Sequence, residues 1–403
     1  MTDFLPSLWR SILVALILFS ISATGCAADR PLAEAVDESY AFAAQQYDGM
    51  LKALEGENRL PRTVDKGNLV LVGPRDWTSG FFPGSLWLIA EQTGEAKWRK
   101  AAAEFTSRVE SVKTYGGTHD LGFMLYCSYG HGYRLTNDPA YREVLLTGAR
   151  TLCTRFNPKV GMIRSWDGRQ WTYPVIIDNM MNLELLMFAY AETAEASFKE
   201  IAISHANKTI ENHFRPDGSS FHVVDFDPNT GKVLKRQTHQ GYSDPSAWAR
   251  GQSWGLYGFT MMYRLTKDPA YLAQARKVAD FLISHPRLPE DRIPYWDYDA
   301  PGIPNEPRDA SAGAIMCSAL FELAGMVEAD AANRYLAVAR QQIRSLASPA
   351  YRAPLGGNGH FLLMHSVGHK LRGSEVDVPL VYADYYFLEA LARCKAGIGG
   401  NPK

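Results

Sequence analysis

The sequence predicts an all-α fold, an (α/α)6 barrel in which six helical hairpins close into a toroid. Three observations carry this. Residues 180–190, 255–263 and 312–323 are apolar on nearly every side, as helices surrounded by other helices must be. One phrase recurs: Tyr133-Arg-Leu-Thr-Asn-Asp-Pro-Ala-Tyr141 returns as Tyr263-Arg-Leu-Thr-Lys-Asp-Pro-Ala-Tyr271. Each copy closes one helix and opens the next, with Asp at the cap and Pro in the first turn. These short turns alternate with long loops rich in aromatic and charged residues, which marks one end of the barrel as functional.

Composition agrees with a single large core. The chain has 403 residues, of which 46% are hydrophobic and 12% aromatic. That suits one helical barrel. A formal net charge of −1 gives no bulk attraction to nucleic acid, so no nucleic-acid partner is expected. Nine Trp and 20 Tyr supply flat faces on which sugar rings can stack.

In chain order, Arg10 precedes an apolar run over residues 11–21 that ends in Ser-Ala-Thr-Gly-Cys26. The run is short for a membrane span and closes on small residues, so residues 1–25 read as a signal peptide. Cys26 after Gly25 resembles a bacterial lipobox, with Ala23 where Leu is commonest. Lipidation of Cys26 would make it the mature N-terminus and the protein's sole membrane contact. The expected location is that of an exported bacterial protein, a periplasmic or cell-surface lipoprotein. Residues 26–39 read as a tether and 40–396 as the barrel domain. Cys127, Cys153, Cys317 and Cys394 lie among apolar helical residues with no C-x-x-C spacing, and are expected as free buried thiols.

From Tyr40 onward Phe42, Tyr47, Met50, Leu51 and Leu54 recur at helical spacing. The loop Asp76-Trp77-Thr-Ser-Gly-Phe-Phe-Pro-Gly84 feeds the next helix. Looser turns follow at 91–98, 191–195 and 324–330, and a final helix over 381–394 completes about six hairpins. Their irregular spacing excludes an open solenoid with a strict repeat. Long loops lie at 166–171, 221–231, 239–250, 294–298 and 360–379. Strand signals are few, with one small hairpin expected around Ser220-Phe-His-Val-Val224.

Two of the apolar helices open on an acid. Tyr173-Pro-Val-Ile-Ile-Asp178-Asn-Met-Met-Asn182 runs into one, and Thr118-His119-Asp120 into another. Asp is a favoured N-cap, and a lone Asp there is most often only a cap. Two in the same setting would bring a pair of carboxylates to one end of the barrel. Arg250 and Trp254, four apart, share a helical face, and a guanidinium beside an indole suits a carboxylated sugar. The plain alternative is an Arg bonded to a loop carbonyl beside a core Trp. His119, His222 and His239 fall in different loops, without H-E-x-x-H, so hydrogen bonding is expected of them and no metal. Without G-x-S-x-G, Walker or dinucleotide motifs, esterase, nucleotidase and dehydrogenase readings are weak, and no cofactor is expected.

Thr118-His-Asp120-Leu-Gly-Phe, Ile177-Asp178-Asn-Met-Met-Asn182, Arg250-Gly-Gln-Ser-Trp254-Gly and Val381-Tyr-Ala-Asp384-Tyr-Tyr together resemble glycoside hydrolase family 88, the unsaturated glucuronyl hydrolases. The resemblance spans almost all of the chain after residue 40 and implies the same barrel. It implies substrates left by polysaccharide lyases, oligosaccharides ending in a 4,5-unsaturated uronic acid, most readily from glycosaminoglycans. It implies hydration of the double bond, with Asp178 as the acid/base that protonates C4 and then helps water add at C5. Asp120 would be the partner carboxylate. His222, Gln240, Arg250 and Trp254 would bind the uronate, Trp77 and Trp166 would stack, and His119 and His239 would stand beside them. The related unsaturated rhamnogalacturonyl hydrolases, a polysaccharide lyase and a non-catalytic lipid-anchored glycan binder are the competing readings. The loop His365-Ser366-Val-Gly-His369-Lys370-Leu-Arg372 carries a Lys and an Arg that either meet a sulfate or stay solvated. One tension is physical: a helix N-terminus lowers the pKa of a capping carboxylate, whereas a proton donor needs it raised.

Overall fold

The computed structural model describes residues 31–168 and 170–398. Outer and inner helices alternate along the chain. Outer α1 (Leu32–Ala53) is followed by inner α2 (Phe81–Thr93) and outer α3 (Ala96–Ser107). The second inner position is a π-helix (Gly122–Gly130) that runs into α4 (His131–Thr136), and outer α5 (Pro139–Cys153) follows. Then come inner α6 (Asn179–Thr193), outer α7 (Ala196–His213), inner α8 (Ala249–Thr266) and outer α9 (Pro269–Ser284). Inner α10 (Ala310–Ala324), outer α11 (Ala329–Leu346) and inner α12 (Val381–Ile398) complete the set. Each inner element packs on the next, and α12 packs back on α2, which closes the (α/α)6 ring.

Composition decides which helix goes inside. Every residue of α8 from Ala249 to Met262 is buried. In α11 burial follows a stripe through Ala331, Tyr335, Val338, Ala339 and Ile343, and the remaining face is polar. The repeated turn phrase works as its residues demand. Asp138 and Asp268 accept the N–H groups of Ala140 and Ala270 at 2.8 and 2.9 Å, with Pro at the first helical position.

Helix α1 starts at Leu32 and buries Ala35, Val36 and Ser39, so residues 32–39, expected as tether, are helical and packed. Residues 1–25 and Cys26 lie outside the described residues. The remaining four cysteines are free thiols, with Cys153 only half-buried.

Strand is more abundant than the sequence signals. The chain forms hairpins β1 (Leu60–Asp65) with β2 (Asn68–Val72), and β3 (Phe156–Asn157) with β4 (Met162–Ile163). The hairpin expected near residue 220 starts at Val223 and belongs to a three-stranded antiparallel sheet. Its members are β5 (Pro174–Ile176), β6 (Val223–Phe226) and β7 (Val233–Gln237). A last hairpin pairs β8 (Ser366–His369) with β9 (Ser374–Val378). All of them lie in connections that lead from an outer helix into the next inner one, so the sheets gather at the end of the barrel where the inner helices begin.

Close backbone approach fixes the inner ring. A Cβ added to Gly122 would stand 2.6 Å from Asn182 Cα, and Asn182 Oδ1 accepts the neighbouring Phe123 N–H at 3.0 Å. Gly122→Ala should therefore push the π-helix off α6 and cost about 1–3 kcal/mol in urea unfolding. An alanine variant as stable as the parent would show that this contact is loose.

Candidate active site

The loops that enter the inner helices bring Asp120, Asp178 and Arg250 into one electrostatic cluster. Asp178 stands at the junction of β5 and α6, where the Ile177 N–H binds the His222 carbonyl at 3.0 Å and pins the strand end. Its backbone is already helical (φ −60°, ψ −24°) and its side chain makes no cap hydrogen bond. The expectation of an N-cap carboxylate is thus overturned. The carboxyl turns away from the helix end, and Oδ2 is buried without a hydrogen-bond partner. Burial pushes this carboxyl up to about 7; Arg250 pulls it down, Asp120 raises it, and the Trp254 indole lowers it. The physical tension in the sequence is resolved, because desolvation outweighs the charges around the group.

Asp120 is held by its own loop. Thr118 Oγ1 donates to Asp120 Oδ2 at 2.6 Å and accepts from the Asp120 N–H at 3.2 Å. His119 Nε2 lies 3.2 Å from the other carboxylate oxygen, Oδ1. His119 Nδ1 donates to the Ser165 carbonyl at 3.0 Å. Ser165 Oγ in turn donates to Asn179 Oδ1 at 2.7 Å, which ties both acid-bearing loops to the start of α6.

His222 faces Asp178 from β6's approach. Its Nδ1 accepts the backbone N–H groups of His239 and Gln240 at 3.2 and 3.1 Å. Nδ1 is then an acceptor, so the neutral ring carries its proton on Nε2. That Nε2 sits 3.9 Å from Asp178 Oδ2 and is itself buried without a hydrogen-bond partner. Burial, followed by the neighbouring His239, Arg250 and His369, holds His222 well below its ordinary pKa, which keeps it neutral. Two buried polar atoms, one acid oxygen and one N–H, thus face the same small gap.

Arg250 differs from the expectation. Its guanidinium is 1% exposed and pairs with Asp309 at 3.0 Å. Nη1 also donates to the Val367 carbonyl, and Nη2 to the Gly368 carbonyl at 2.8 Å. Three of its five N–H donors are engaged within the protein, which leaves two for a ligand. Its aromatic neighbours are Trp248 and Tyr382, at 4.7 and 5.4 Å, rather than Trp254. Trp254 is fully buried between Phe123 and Tyr386 and forms floor, without an open face. Trp77 packs on Tyr382 at 4.9 Å and joins the same floor with its edge partly open.

The opposite wall is aromatic. Trp166 lies 5.0 Å from Trp171 and 5.2 Å from His239, and His239 lies 4.9 Å from His369. Gln240 Nε2 donates to the Gly368 carbonyl at 2.8 Å, so this side chain ties its loop to β8. Trp248, stacked on His222 at 4.4 Å, and Asp309 were not singled out from the sequence. An aromatic residue directly before the Arg250 helix was a signal for the first. Asp309 followed by Ser311 had the grammar of a cap, which it is, and nothing local announced its second partner.

A cavity of about 950 Å3 lies within the inner ring, bounded by Phe123, Met181 and Tyr386 on one side and by Arg264, Glu322 and Arg393 on the other. Its charges pair with one another: Arg264 with Glu184 and Glu322, and Arg393 with Glu322 and Glu389. Asp178 Oδ2 and His222 Nε2, which have no such partners, stand where the inner helices begin, and the candidate active site lies there.

A model of Glycosyl Hydrolase Family 88 matches residues 58–386. The chain belongs to that family. An unsaturated glucuronyl hydrolase of Formosa agariphila is 45% identical over 89% of this chain and 90% of its own. A crystal structure of an unsaturated glucuronyl hydrolase specific for heparin superposes with a TM-score of 0.87 at 46% identity, covering 91% of this chain and 98% of that one. A mutant of the Streptococcus agalactiae enzyme, complexed with dGlcA-GalNAc6S, superposes with a TM-score of 0.76 at 30% identity, over 89% and 91% of the two chains. Within family 88 the barrel is thus shared along nearly its whole length, and the chain is a glycoside hydrolase.

Proposed function

We propose that the protein acts on oligosaccharides with a terminal 4,5-unsaturated uronic acid, derived from glycosaminoglycans, and hydrates the C4=C5 bond. The observation that carries this reading is the buried Asp178 carboxyl, raised to about 7 and free of partners on Oδ2, facing the Nε2–H of His222. A carboxylic acid in that state can give a proton to C4 of an enol ether. Positive charge then develops at C5 and is shared with the ring oxygen. Asp178, now a carboxylate, takes a proton from water as its oxygen bonds to C5, and the resulting hemiketal opens to release the next sugar. Asp120 is the partner carboxylate, whose nearness helps to hold the proton on Asp178. His222 offers its N–H to an oxygen in the gap, and the two remaining Arg250 donors face the uronate carboxylate. Trp77 at the floor and Trp166 in the opposite wall are the surfaces against which sugar rings pack.

A non-catalytic glycan binder has no use for a carboxyl held neutral by burial, which is costly once ionised. The substrates for which the relatives are named favour heparin- and chondroitin-derived disaccharides over pectic ones, and both should be assayed. The Lys370 and Arg372 side chains near the mouth are the proposed contacts for sulfate. Export and lipidation at Cys26 remain our reading of the first residues, supported by the Arg10-led apolar run and the Gly25-Cys26 junction.

Incubation with an unsaturated disaccharide should erase its ultraviolet absorbance. In heavy water the released sugar should carry deuterium at C4. The active form is the protonated acid, so kcat/KM should fall as pH rises through about 7. A product with the double bond intact, or without deuterium at C4, would rule out hydration.

A further inference from the structure

We propose that Asp309 is a positioning residue for the reaction: it orients Arg250 and cancels its charge beside Asp178, so that a proton donor and a guanidinium can share one buried site. The geometry is fixed on both sides. Asp309 is fully buried, and its Oδ2 meets Arg250 Nη1 at 3.0 Å. Its Oδ1 accepts the Ser311 N–H at 3.1 Å, the Ser311 hydroxyl at 2.5 Å and the Val367 N–H at 3.3 Å. The carboxylate therefore cannot swing away without breaking the cap of α10 and the seat of β8.

Among the described residues Asp309 is the carboxylate in direct ion-pair contact with Arg250. Arg250 is faced by Asp309 from the start of α10, Asp178 from α6, Glu375 from β9, Tyr382 from α12 and His222 from the β6 loop. Glu375 is already held by Arg62 at 2.6 and 3.0 Å, and Arg62 also pairs with Asp76 at 2.7 Å. Asp178 is faced by Arg250, Asp120, His222 and Trp254. An unshielded cation within a few ångströms lowers a carboxyl by about 1–3 units, whereas a tight ion pair acts only as a dipole. With Asp309 ionised, burial can dominate at Asp178. Without it, the guanidinium would hold Asp178 as a carboxylate, which has no proton to give.

The inference rests on Asp178 as the donor. Asp309→Asn keeps the size of the side chain and an oxygen for the Ser311 N–H, but removes the charge. Its pH profile of kcat/KM should lose activity at a limb about 1 pH unit or more below that of the parent. Asp309→Glu keeps the charge and loses the fit, so it should raise KM with the limb near its original place. A merely structural Asp309 would lower the rate of both variants and move neither limb. An unmoved or raised limb in Asp309→Asn would overturn the proposal. If that variant does not fold, Asp309→Ser, which still caps α10, should show the same lowered limb, and an unmoved limb there would overturn the proposal equally. A failure of the donor assignment itself would show differently, as an Asp178→Asn enzyme that still turns over.

Discussion

Asp178→Asn should abolish turnover while the protein stays folded and still binds the unsaturated disaccharide, as activity, unfolding and binding measurements would each show. Asn is nearly isosteric with the protonated acid, so the floor of Trp254 and the gap to His222 keep their shape. What is lost is the proton for C4 and the carboxylate that receives one back from water, and general acid–base catalysis alone is worth about 10²–10⁴-fold. In the proposed mechanism both halves of the reaction pass through one group, so the loss should exceed that range. Stability should change in the opposite sense. The folded-state value of about 7 lies above the ordinary 3.8, so the native state holds a proton that the unfolded chain has released. The parent's stability therefore declines as pH rises from about 4 to about 7 and stays lower above that window. Asn does not ionise, so the variant should melt higher than the parent at pH 8 and show little gain at pH 4. A variant that retains activity would remove Asp178 from its role. One equally stable at both values would show that burial of this carboxyl carries no strain.

Arg250→Ala should damage the fold as well as the chemistry. It strands the Asp309 carboxylate in a site with no solvent, and deprives the Val367 and Gly368 carbonyls of their donors. Breaking one side of a buried pair costs about 3–5 kcal/mol, which urea unfolding would detect readily. Removing both charges, as Arg250→Met with Asp309→Asn, which keeps an oxygen for the Ser311 and Val367 N–H groups, should return part of that stability, because burying the charged pair was itself costly. Activity should not return with it. Arg250→Lys should remain impaired, since an ammonium cannot reproduce three planar bonds and a remaining edge. If Arg250→Ala unfolded at the parental urea concentration, the pair would be structurally idle and the reading of a constrained guanidinium would fall.

The barrel could be read from the chain because periodicity and caps are local. The Asp-Pro turns at Asp138 and Asp268 and the all-round apolar faces of α6, α8 and α10 are decided by neighbours in sequence. The β1–β2 hairpin went unread although Lys66 and Gly67 form its turn at positive φ and apolar residues flank it, which is a recognisable signature. The acids of the site were legible as residues but not as geometry. Asp178 looks like a cap, and only the fold shows its side chain turned inward. The Arg250–Asp309 pair joins two loops that share no motif, and the acceptors at Val367 and Gly368 are backbone atoms, about which a side-chain alphabet says nothing. Arg250 and Trp254 do lie on one helix at the expected spacing. Shared helical position did not make them partners, because Trp248 and Tyr382 reach the guanidinium first.

The closure of α12 onto α2 has a bearing on how the enzyme is made. The Tyr40 hydroxyl of α1 donates to the Leu388 carbonyl of α12, and Thr63 pairs with Leu380 across nearly the whole sequence. Asp384 of α12 receives the Tyr47 hydroxyl and the N–H groups of Leu362 and Leu363. The first hairpins must therefore wait, with apolar flanks uncovered, until the last helix is in place. The contacts that finish the ring are among the most distant in sequence, which makes assembly slow relative to the hairpins themselves. Tyr382 and Tyr386 from that last helix also floor the active site, so a chain cut short before α12 has neither a sealed core nor a working pocket.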